Sequence, residues 1–102
     1  MSAPTYEEFA ARLAQPCRFA QLIHDVEQPS RAAVLHRVGE RRERSGYEQF
    51  TLIFHVEAHD APQQGMHAVT FADGVRWEIF VVPIARLTAG IAYEACYNRS
   101  LA

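Results

Sequence analysis

Apolar and polar side chains follow two periods along this chain, helical at the start and alternating after it. Tyr6, Phe9, Ala10 and Leu13 recur at three- and four-residue spacing and make one apolar stripe. Thr5 stands before the stripe as an N-cap, and Glu8 three residues later completes a capping box. Gln15-Pro16 stops the run, because the residue before a proline avoids helical angles. The spacing predicts a helix over about residues 5–15. Three turns do not persist alone, so Tyr6, Phe9 and Leu13 are expected to be buried on another element.

From Pro16 onward side chains alternate, the period of a strand with one buried face. Strands are predicted over 17–26, with Phe19 and Ile23 on one side, and over 31–38, after the turn residues Gln28-Pro29-Ser30. Residues 39–46 are wholly polar between two glycines and read as an exposed, mobile hairpin loop. Residues 47–57 alternate most clearly, with Phe50, Leu52, Phe54 and Val56 inward. Further strands are expected over 66–71, 75–83 and 91–98. Asp73-Gly74 reads as a two-residue turn of type I′ between two of them. Pro83 lacks an amide donor and marks an end, a bulge or an edge.

Trp77-Glu78-Ile79-Phe80-Val81-Val82 begins as an alternating strand and then turns apolar on both sides. Trp77, Ile79 and Val81 point one way; Phe80, Val82 and Ile84 point the other. Cover is therefore expected on both faces, with the N-terminal helix the best candidate to supply it; in the assembled fold that helix would plug one end or cover one face. The structural set is Tyr6, Phe9, Leu13, Phe50, Leu52, Phe54, Trp77, Phe80, Val82 and Asn98, the last holding backbone where the final strand ends. About six short antiparallel strands and one helix point to a mainly β fold, α+β by count. The expected form is a meander curled into a small barrel or a two-layer sandwich. Closure by the first and last strands would bring Cys17 near Cys96.

A chain of 102 residues fits a single domain with one core over 1–102. A formal charge of −2 gives no general attraction to nucleic acid or anionic membranes. All ten basic side chains are arginine, a composition expected of a GC-rich bacterial genome. No basic-plus-apolar leader and no run of about 18 apolar residues is found, so a cytoplasmic location is expected. In that reducing compartment Cys17 and Cys96 read as small hydrophobes rather than a bridge.

Candidate chemistry is sparse. His55, His59 and His67, with Glu57 and Asp60 nearby, have part of the spacing of a zinc site, but strand and loop positions explain them without a metal. Arg41, Arg42 and Arg44 could grip a phosphate or a carboxylate partner, although Glu40, Glu43 and Glu48 interleave with them and favour a solvated loop. Glu78 and Glu94 are possible paired carboxylates, more simply explained by ion pairs with Arg76 and Arg99. No catalytic residue and no cofactor is expected.

Phe50-Thr51-Leu52-Ile53-Phe54, Gln64-Gly65, Phe80-Val81-Val82-Pro83-Ile84 and Tyr93-Glu94-Ala95-Cys96-Tyr97-Asn98 together resemble a family of small uncharacterised bacterial domains, a domain of unknown function. The early capped helix with Phe9 also fits it. The resemblance implies a gene neighbourhood of phage tail-collar or tail-fibre-like proteins and an accessory role in such an assembly. It carries no catalytic residue. The expected function is a non-enzymatic structural or protein-interaction module, monomer or homodimer, with a protein partner possible. The alternative is a small-molecule-binding barrel with an apolar lumen, and a small enzyme comes third.

Overall fold

The structure, a computed structural model, describes residues 4–58 and 62–101. Helix α1 (Tyr6–Ala10) is followed by β1 (Pro16–Ile23), β2 (Val26–Glu27), β3 (Arg31–Val38), β4 (Arg42–Arg44), β5 (Tyr47–Glu57), β6 (Gly65–Phe71), β7 (Arg76–Leu87) and β8 (Gly90–Ser100). Six of these strands close into an antiparallel barrel in the order β1-β3-β5-β8-β7-β6 and back to β1. β2 and β4 lie outside it, paired to β1 and β5. The barrel is therefore two three-stranded meanders joined by a Greek-key connection from β5 to β6, not one meander. Closure runs through β6, with Cys17 opposite Phe71. Cys17 and Cys96 consequently sit on strands that are not neighbours, and both are free thiols.

Local chemistry explains most of the turns. His24 and Asp25 both have positive φ, as do Ser45 and Gly46, which is the primed two-residue hairpin geometry. The first pair divides the strand expected over 17–26, leaving Ile23 exposed; the second folds β4 onto β5 in the segment expected as a loop. At Asp73-Gly74 only Gly74 has positive φ. The Phe71 carbonyl accepts from Gly74 N–H at 3.0 Å and Phe71 N–H donates to the Val75 carbonyl at 2.9 Å. This is a three-residue loop with glycine in the left-handed position rather than type I′. Pro83 sits where β7 and β8 change register, a bulge. Gly90 allows β8 to start against β5, because a Cβ there would collide with the Val56 carbonyl.

The helix is shorter than the stripe predicted. Thr5 caps it, its hydroxyl accepting from Glu8 N–H at 3.2 Å. The chain leaves the helix through turns to Ala14 (φ 66°), whose N–H donates to the Leu35 carbonyl at 2.7 Å. Leu13 is thereby carried into solvent, 49% exposed, instead of into the core.

Phe9 is fully buried, with ring centroids 4.5 Å from Trp77, 5.3 Å from Tyr97 and 5.7 Å from Phe50. β7 pairs with β6 over Arg76–Val81 and with β8 over Val82–Leu87, so β7 and β8 part at the Trp77 end. Phe9 wedges into that gap and plugs the barrel from its end. The helix therefore meets the inward face of β7, through Trp77, and leaves the outward face bare. Phe80, Val82 and Ile84 are 52%, 39% and 50% exposed, which overturns the expectation of cover on both faces. The interior is filled by Phe19, Leu35, Phe50, Leu52, Phe54, Val69, Val81, Ile91 and their neighbours. Asn98 lies exposed opposite Gln49, two positions before β8 ends, and not at a strand end.

Candidate functional site

Along β5 the plugged end of the barrel lies at Phe50 and the opposite end at Val56; β6 and β8 place Phe71 and Tyr97 at the first and His67 and Tyr93 at the second. The second end opens into a cavity of about 380 Å³. Phe19, His67 and Tyr93 form its aromatic floor, with ring centroids 4.8 Å (Phe19–His67), 5.3 Å (Phe19–Tyr93) and 5.5 Å (His67–Tyr93) apart. Alternation on β6 turns His67 inward with Val69, and the imidazole is almost fully buried.

The hydrogen bonding of this floor is one-sided. His67 Nδ1 lies 3.0 Å from the Gly65 carbonyl. A carbonyl only accepts, so Nδ1 carries the proton and Nε2 presents a lone pair. Burial, aided by the Arg31 charge, holds His67 below the ordinary histidine range, and the Gly65 bond opposes them only in part. Burial thus favours the neutral ring. Tyr93 Oη accepts from Gln63 N–H at 3.4 Å, which leaves its own proton to donate.

The plugged end holds a different arrangement. Glu48 is fully buried; its Oε1 accepts from Tyr6 N–H at 3.3 Å and Arg41 Nε at 3.0 Å, and its Oε2 accepts from Arg99 Nε and Nη2 at 3.1 and 2.9 Å. Burial pushes its pKa up, yet the bonds from Arg99 and Arg41 outweigh burial and hold the carboxyl below its usual range. This clasp ties the helix start to β5 and β8, with Glu48 directly opposite Arg99 in the ladder. Glu48 has the inward parity of Phe50, Leu52, Phe54 and Val56, the signal that marks it as buried. Nearby, Arg12 makes a bidentate pair with Asp73 at 3.1 and 2.8 Å and lies over the Phe71 ring at 4.7 Å.

The residues singled out for chemistry are scattered. His55 is turned to the outside, stacked on His36 at 3.8 Å, whereas His67 faces the interior; His59 and Asp60 lie outside the described residues. Among the described residues no three metal-ligating side chains come together. Arg41 turns toward Glu48, while Arg42 and Arg44 stand exposed on β4, so the three arginines do not converge. Glu78 pairs with Arg76, which also reaches Glu27, whereas Arg99 serves Glu48 rather than Glu94. No local pattern predicts the cavity, because its floor comes from β1, β6 and β8 and its rim from residues 28–30, Arg31, Val56 and Gln63.

No helix among the described residues is long and apolar enough to cross a membrane. Searches of curated proteins and of solved structures returned no match. A family model described as a domain of unknown function, DUF6916, matches residues 4–97. That match spans the capping threonine, the plug and all six barrel strands to Tyr97, and the chain belongs to this family.

Proposed function

We propose that this protein is a non-enzymatic interaction module of the bacterial cytoplasm, accessory to a phage-tail-like assembly, and that it docks an extended segment of a different protein on the outer face of β6 and β7. The supporting observation is the apolar stripe of Met66, Phe80, Val82 and Ile84, each 39–52% exposed. Met66 and Phe80 are cross-strand partners, so the stripe is continuous across both strands. Beside it β6 pairs no further than Val81, and among the described residues no strand pairs with Val82–Leu87 on the side away from β8. An open edge flanked by apolar side chains is what an added strand uses, main-chain bonds for affinity and side chains for register.

The stripe amounts to a few hundred Å², about the size of a single functional patch and short of the ~800 Å² per partner of a stable dimer. That favours a monomer binding a heterologous segment over a homodimer. The filled interior weighs against an apolar ligand in the lumen.

The test is co-expression with the products of neighbouring tail genes. A tail component should co-purify with the wild type and be lost with Phe80→Glu and Ile84→Asp, both of which should keep the wild-type melting temperature. Retention of the partner by both variants, or a wild type that stays alone, overturns the proposal.

A further inference from the structure

We infer that the open barrel end binds a small planar ring bearing an N–H donor beside a carbonyl acceptor, the chemistry of a cyclic amide. The cavity of about 380 Å³ has room for one such ring. Phe19, His67 and Tyr93 offer it an aromatic floor. His67 is 4% exposed, its Nδ1 proton is committed to Gly65, and its Nε2 has no hydrogen bond among the described residues. Among the described residues no buried side-chain nitrogen or oxygen is left without a partner, so Nε2 is open to the cavity rather than sealed, and a ligand N–H that enters can reach it. The Tyr93 hydroxyl, fixed by Gln63 N–H, supplies the complementary proton to a carbonyl. The two rings are neighbours on that floor, with centroids 5.5 Å apart.

An apolar molecule would leave Nε2 unmatched, and a carboxylate would set its lone pairs against that of Nε2. The donor–acceptor pair therefore selects the ligand class, with the aromatic floor favouring planarity.

The experiment uses the whole chain and four probes, uracil, 2-pyridone, 1,3-dimethyluracil and acetate, followed by calorimetry and by the His67 Hε1 and Cε1 resonances. Uracil and 2-pyridone should bind saturably and shift the His67 signals. 1,3-Dimethyluracil, which has no N–H, should bind at least about tenfold more weakly, and Tyr93→Phe should weaken uracil by about tenfold as one hydrogen bond is lost. If Tyr93→Phe does not fold, the ligand pair on the wild type decides. Unmoved His67 signals at millimolar uracil and 2-pyridone, equal binding of 1,3-dimethyluracil, or tighter binding of acetate overturns the inference.

Discussion

Replacing Phe9 with alanine removes the side chain that plugs the gap between β7 and β8. Phe9 is fully buried among Trp77, Tyr97 and Phe50, and truncating such a phenylalanine costs about 3–5 kcal/mol in lost transfer energy and cavity. If the helix, only five residues long, then lets go, the Tyr6 N–H bond to Glu48 goes with it, adding about 1 kcal/mol. Against a typical total of about 5–15 kcal/mol, the loss is a large share of stability, and the melting midpoint should fall by at least ~12 °C. Trp77 is the single tryptophan and lies 4.5 Å from Phe9, so it reports the site directly. Urea unfolding followed by fluorescence and by circular dichroism gives the energy, and the native emission should shift to the red as water reaches the indole. A loss below about 1 kcal/mol with an unchanged Trp77 spectrum would refute the plug, since a fully buried aromatic does not leave so lightly.

Arg99→Met strands part of the buried Glu48 carboxylate and should cost about 2–3 kcal/mol near neutral pH, less than a fully broken buried pair because Arg41 remains. The folded pKa of Glu48 is depressed, so its contribution is present above the unfolded value near 4.5 and is lost as pH falls through the lower folded value. The gap between wild type and variant should therefore shrink in acid; melting curves that differ by the same amount at pH 3 and pH 7 would count against this. Thiol labelling separates the cysteines. Cys96 is exposed and should react quickly, whereas Cys17, buried with its pKa pushed up to about 11, should react only on unfolding, and two fast thiols in the native protein would contradict the burial seen here.

Alternation over Tyr47–Glu57 and the Thr5/Glu8 cap were legible in the chain because both are local: side-chain parity and the first helical turn depend on residues a few positions apart. The same parity extends to Glu48, but its charge placed it with the solvated loop, and the structure corrects that by burying it between Arg41 and Arg99. Tertiary structure alone decided that β1 closes on β6 rather than β8, that the two cysteines stay apart, and that the helix enters the barrel end and leaves Phe80, Val82 and Ile84 in water. It alone also joined Phe19, His67 and Tyr93 into one floor. Apolar residues on both sides of a strand show that each face can be buried; which face is buried depends on contacts between residues dozens of positions apart, for which a single chain's periodicity carries no signal.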